Sequence, residues 1–157
     1  MARIFQFGLA TEAFLNLVGA VPFVLYPEWC LSFAVADRST TGAPVVPPSS
    51  AVLWQIYGVL VLSLTVPLIL CIPDSNTAAE KRRIVFQTLI SGEILIEAIL
   101  LWHIRQPEKS GFTLTSLSLS AFFLLPALSW HTFATYIKPG LMNSDRFPSA
   151  KPSKKTR

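Results

Sequence analysis

Charge is scarce in this chain: 14% of its 157 residues are Asp, Glu, Lys or Arg, while 52% are hydrophobic and the mean hydropathy is +0.51. Soluble domains carry about 25% charged residues, so the composition excludes an ordinary water-soluble fold and makes lipid the solvent for most of the chain. Also lacking are a Gly-rich phosphate loop, a G-x-S-x-G elbow and a dinucleotide fingerprint, which leaves cofactor-bound redox chemistry without sequence support. Histidine and cysteine are sparse. His103 and His131 have no Cys or carboxylate cluster at metal-ligand spacing around them, so neither a metal nor another cofactor is expected. Cys30 falls just beyond the first apolar segment and Cys71 near the far end of the second, at opposite faces of a helical hairpin, so no disulfide between them is expected.

What the chain does have is four apolar stretches, at 4–25, 51–72, 84–104 and 112–137. Each is long enough to cross about 30 Å of hydrocarbon at about 1.5 Å per residue. The fold expected is all-α, an integral membrane four-helix bundle over 1–140 followed by a basic tail at 141–157. Ala34-Val35-Ala36 has the small-x-small look of a signal-peptide cleavage site. The stretch before it is longer than a signal h-region, carries Glu12 and Asn16, and ends well before the alanines, so it reads as a permanent helix.

Cations set the direction. Arg3, Lys81, Arg82, Arg83, Lys138, Arg146, Lys151, Lys154, Lys155 and Arg157 fall on one side, against Arg38, Arg105 and Lys109 on the other. This positive-inside bias predicts cytosolic termini. The same residues explain the net charge of +4 as topological anchors, so no nucleic-acid partner is expected. The loop at 26–50 is then lumenal, made extended by Pro44, Pro47 and Pro48, and either caps the bundle or merely connects it. The closing Lys154-Lys155-Thr156-Arg157 has the form of a dilysine address for the endoplasmic reticulum, or is simply a basic tail.

Three carboxylates lie inside the spans: Glu12 in the first, Glu93 and Glu97 in the third. An intramembrane acid is costly and therefore a functional-site hypothesis. Gly8, Glu12, Asn16 and Gly19 form one stripe on the first helix, which should face protein. Weaker stripes run through Gln55, Gly58 and Thr65 on the second helix and Thr113, Ser116, Ser120, Ala127 and His131 on the fourth. Ser and Thr serve as interhelical glue; the glutamates divide between glue and chemistry. A carboxyl kept protonated by apolar surroundings is a Brønsted acid, and an ionised neighbour steadies a developing cation or takes the proton back. The expected catalytic set is Glu93 and Glu97, one helical turn apart, with Glu12 as partner; Asn16, Gln55 and Trp54 are candidate substrate contacts. Trp29, Trp54, Trp102 and Trp130 lie near span ends and read mainly as interfacial anchors, with Trp54 and Trp102 alternatively lining a lumenal mouth.

Tyr26-Pro27-Glu28 closing the first helix, Leu53-Trp54-Gln55-Ile56-Tyr57-Gly58 opening the second and Gly92-Glu93 in the third resemble the DoxX-like four-helix membrane proteins over most of residues 3–137. These motifs are short and apolar and imply a fold rather than a reaction. The chain is also similar to the small four-span membrane enzymes of fungal secondary-metabolite clusters, which make polyketides, alkaloids and terpenoids; some are linked to epoxide formation and others to epoxide opening, hydrolysis or cyclisation. No residue-level motif carries over from them. The resemblance implies a lipophilic substrate taken from membrane lipid, and possible contact with other biosynthetic enzymes. Acid-assisted epoxide opening suits the glutamates because it needs no flavin, haem or metal. The alternatives are an epoxidase or other oxidase of the same setting, and a non-catalytic scaffold subunit.

Overall fold

A computed structural model describes residues 2–75 and 77–143. Four long helices, α1 (Ala2–Leu25), α3 (Pro48–Leu70), α4 (Ala78–Ile104) and α5 (Leu114–Thr132), are joined by short connections, with a six-residue helix α2 (Pro27–Ser32) in the first loop. All four long helices are long and apolar enough to cross a membrane. Their outward surfaces invert the rule for soluble proteins: Ile4 and Phe7 are each 74% exposed, Phe123 69% and Leu95 66%. Apolar surface on this scale is stable only against hydrocarbon, and the chain is a multi-pass membrane protein.

The helices start where proline and threonine permit. Pro48 opens α3 at a position whose N–H would have no helical partner, and Thr113 caps α5 by accepting a hydrogen bond from Ser116 N at 3.1 Å. The fourth span does not stay α-helical throughout. After Thr132 it loosens into a π-turn, Phe133–Ile137, closed by Lys138 N donating to Phe133 O at 2.8 Å. Such turns occur often at functional sites, and this one follows directly on His131.

Packing divides the bundle into two pairs, α1 along α3 and α4 along α5, which meet each other less closely. Gly58 permits the first pairing: a Cβ there would lie 3.0 Å from Phe23 Cβ and 3.1 Å from Ala20 O. Gln55 ties the same pair by donating to Val24 O at 2.9 Å, and Thr65 is buried, so the α3 stripe faces protein as expected. The α1 stripe does so only in its first half. Gly8 meets Trp130, whereas Gly19 is exposed with nothing near its missing Cβ, because α3 covers the face around Ala20 instead.

At the end bearing the start of α1 and the turn at Pro139–Met142, Phe5, Leu9, Leu68, Cys71, Phe86, Ala134 and Met142 form a buried core. Arg82, expected among the surface cations, is turned inward and fully buried there. Its guanidinium donates to Cys71 O (2.9 Å), Ile72 O (3.2 Å), Met142 O (2.9 Å) and Asp74 Oδ1 (3.1 Å), and it lies 5.4 Å from the Phe5 ring centre. A buried cation is tolerable only when satisfied in this way. One side chain thereby fastens the end of α3, the start of α4 and the turn at Pro139–Met142. The tail at 144–157, with its dilysine sequence, lies outside the described residues.

At the opposite end the first loop caps the bundle. Thr113 N donates to Ala34 O (2.8 Å), Ala36 N to Gly111 O (2.9 Å) and Ser116 Oγ to Ala34 O (3.1 Å), so the loop is bonded to the α4–α5 connection. Its opening is helical rather than extended, because Pro27 restarts a helix at α2. Cys30 and Cys71 are both free thiols.

The fork geometry of Arg82 is required, since three backbone carbonyls and a carboxylate are spread around it. Arg82→Lys, which keeps the charge but supplies one point donor, is expected to lower stability by about 2 kcal/mol, measured as a drop in Tm of the detergent-solubilised protein.

Candidate functional site

Glu12 lies nine residues past Arg3, about 13 Å along α1, and reaches across the seam to α5. Its Oε1 is 2.9 Å from His131 Nε2. On the other side of the imidazole, His131 Nδ1 is 3.0 Å from Glu93 Oε2 and 2.9 Å from Glu93 Oε1. His131 is 1% exposed and Glu93 9%. The Phe86 ring meets the imidazole edge-on at 4.5 Å between centres, closing the face toward the Arg82 core. Three helices, α1, α4 and α5, thus deliver a Glu–His–Glu triad into the bundle, and the triad bridges the two helix pairs.

Counting protons defines its charge states. Each imidazole nitrogen faces a carboxylate, and each of the two hydrogen bonds needs one proton. With two protons in the triad, whether as imidazolium between two carboxylates or as neutral imidazole beside one carboxylic acid, the net charge is −1. A third proton makes the cluster neutral. Both imidazole nitrogens and Glu12 Oε1 are already engaged, and Glu12 Oε2 is buried without any hydrogen-bond partner. That oxygen is the free position for the third proton.

Glu12 also forms part of the wall of a cavity of about 510 Å³ between α1 and α5, open along the bundle's flank. Thr11 is its other polar wall residue; Phe7, Leu15, Phe123 and Trp130 supply most of the rest. Pro126 and Ala127 shape the α5 side, where little side-chain bulk fills the seam. The cavity lies at hydrocarbon depth, so its opening faces acyl chains rather than water. A lipophilic molecule entering it meets the Glu12 side chain, which is 19% exposed, without leaving the membrane.

The expected residues separate into groups. Glu12 and Glu93 come together, but through His131. Glu97, one turn further along α4, takes no part in the triad, and its Oε2 is buried without a partner. Asn16 is half-buried one turn beyond Glu12. Gln55 is committed to Val24 O. Trp54 packs against Phe23 with ring centres 4.9 Å apart and tilted by 50°, and lines a different cavity, about 230 Å³, with Tyr57, Ile96, Leu100, Ser120 and Leu124. Trp29 and Trp102 are each 61% exposed near helix ends, as anchors should be, but Trp130 is inside the α1–α5 seam, 5.8 Å from Phe5.

His131 is the residue that sequence reasoning undervalued. Considered as a metal ligand it has no suitable neighbours in sequence, and among the described residues no three His, Cys, Asp or Glu side chains are grouped to hold a metal ion. The usable signal was its place on the polar stripe of the fourth helix, at a depth similar to that of Glu12. No protein-family model, curated protein or solved structure matches the chain.

Removing His131 strands two buried carboxyl groups, while removing all three polar groups strands none. His131→Leu is expected to destabilise the protein by about 3 kcal/mol. The triple variant Glu12→Leu, His131→Leu, Glu93→Leu should recover most of that loss in the same thermal-melt assay.

Proposed function

We propose that the protein is a cofactor-independent acid–base enzyme of the membrane that opens an epoxide in a lipophilic intermediate, giving a diol or a new ring. The observation that carries the reading is Glu12: one carboxyl oxygen is held by His131, the other is unpartnered, and the residue borders an apolar cavity open to lipid. The substrate class, a polyketide, alkaloid or terpenoid epoxide, is what the resemblance to the four-span enzymes of fungal secondary metabolism implies.

In the starting state Glu12 Oε2 carries the proton, Oε1 accepts from His131 Nε2–H, and His131 Nδ1–H donates to ionised Glu93. The cluster is neutral, which suits its apolar surroundings. The epoxide oxygen takes the Glu12 proton as its C–O bond breaks, and the triad becomes an anion beside the positive charge developing on carbon. His131 and Glu93 hold the Glu12 carboxylate in place, so little reorganisation accompanies the step. A water molecule or an internal hydroxyl then bonds to that carbon and returns its proton to Glu12 Oε2. Electrons and protons balance without an external oxidant. Glu97 lies outside this cycle, where it contributes polarity near the site rather than the transferred proton.

A scaffold role, with the triad as helix glue, is favoured by the deep burial of His131 and Glu93. Substrate conversion separates the two readings. Microsomes holding the wild-type chain should convert a lipophilic epoxide of the polyketide or terpenoid class, followed by mass spectrometry. Glu12→Gln should lose at least about 100-fold in rate, and Glu97→Gln less than about tenfold. Equal product in microsomes with wild type and Glu12→Gln, or none from any well-folded form, would move the assignment to the scaffold.

A further inference from the structure

The α1–α5 cavity has a polarity pattern that defines a ligand. Glu12 is flanked along α1 by apolar wall on both sides: Ile4 lies eight residues, or about 12 Å, toward one end, and Leu15 three residues, or about 5 Å, toward the other. The aromatic rings of Phe7, Phe123 and Trp130 line the same space. Once Glu12 has given up its proton, the two protons left in the triad leave a net charge of −1, with no cation among the described residues against it. Arg82 is committed to three carbonyls and Asp74 at the far side of Phe5, and His131 is already counted within the triad. An uncompensated anion in an aromatic, water-poor cleft is complementary to a cation held on carbon or nitrogen.

We infer that this cavity binds lipophilic ammonium ions whose charged nitrogen sits in the middle of the molecule, between two hydrocarbon arms, with the nitrogen against Glu12. The inference rests on the acid–base reading of the triad and extends it, because an ammonium copies the charge that appears on the substrate when the epoxide opens. A tertiary amine that enters neutral takes the proton from Glu12 Oε2: the O–H bond breaks, an N–H bond forms, and the ion pair stays in the cleft. Mid-body placement follows from the wall. With the nitrogen against Glu12, either amine holds its charge about 12 Å from the membrane surface, but a single-chain amine has hydrocarbon on one side of Glu12 only, whereas a two-armed amine fills apolar wall on both sides.

The probes are N-methyldioctylamine, its hydrocarbon isostere 9-methylheptadecane, and octadecylamine with its charge at one end. Each is added to the detergent-solubilised protein, and the Tm is read by fluorescence-detected size exclusion, in which partition of a probe into micelles does not by itself protect the fold. N-methyldioctylamine should raise the Tm of wild type by several degrees, and the other two should not. Ala127→Trp, which fills the cavity from its α5 wall, should abolish the shift, as should Glu12→Gln. An equal shift from the hydrocarbon, from octadecylamine, or in Ala127→Trp would overturn the inference, as would no shift in wild type. Epoxide turnover without amine stabilisation would leave the enzyme reading standing and the ammonium site disproved. Glu12-dependent amine stabilisation without turnover of any epoxide would do the reverse.

Discussion

Everything in the bundle is arranged around one imidazole. His131 joins a carboxylate of α1 to a carboxylate of α4, and it is the polar link in mid-bundle between two helix pairs that Arg82 ties at one end and that otherwise touch sparingly. In hydrocarbon such a link has no competition from water, and leaving any member unsatisfied costs about 3 kcal/mol or more. This constraint accounts for features that look unrelated in sequence. Gly8 leaves room for Trp130 beside the triad, Phe86 covers the imidazole edge, and the π-turn begins immediately after Thr132.

The two ends of the bundle treat polarity differently from the middle. Arg82 gathers the carbonyls of Cys71, Ile72 and Met142, and the loop after α1 is hydrogen-bonded to the α4–α5 connection. Both ends are thereby closed by backbone acceptors and donors that find partners. Within the triad Glu12 leaves a carboxyl oxygen free, and it does so beside a cavity opening toward lipid. Glu97 Oε2 is likewise buried without a partner, but of the two carboxyl groups Glu12 is the one that borders the lipid-facing cavity, and native structures leave few buried polar atoms without a reason.

The four spans were legible in the sequence because a membrane helix must hold some twenty apolar residues in succession, and that pattern survives any detail of packing. The α3 contact through Gly58 and the inward position of Glu12 and Glu93 were legible for the same kind of reason, small and polar residues recurring on one face. Arg82 was not. In a Lys-Arg-Arg run nothing local distinguishes the cation that will meet distant carbonyls at Cys71 and Met142 from its solvated neighbours. His131 was hidden by the same distance: its partners stand 119 and 38 residues away, and a search for metal-ligand spacing passes over a histidine whose two nitrogens are both taken by carboxylates. Pairing Glu93 with Glu97 followed from their separation by a single turn, but Glu93 is bonded instead to the His131 side chain of α5, which links it to Glu12.

The account depends on a proton residing on Glu12 Oε2 while His131 serves the other oxygen. Infrared spectroscopy of the reconstituted protein at neutral pH, taken as the difference between wild type and Glu12→Gln, reads that proton directly. The account predicts a carboxylic-acid carbonyl band in wild type that is missing in the variant and shifts in heavy water. A difference spectrum with carboxylate bands alone would contradict it, since a permanently ionised Glu12 has no proton to give.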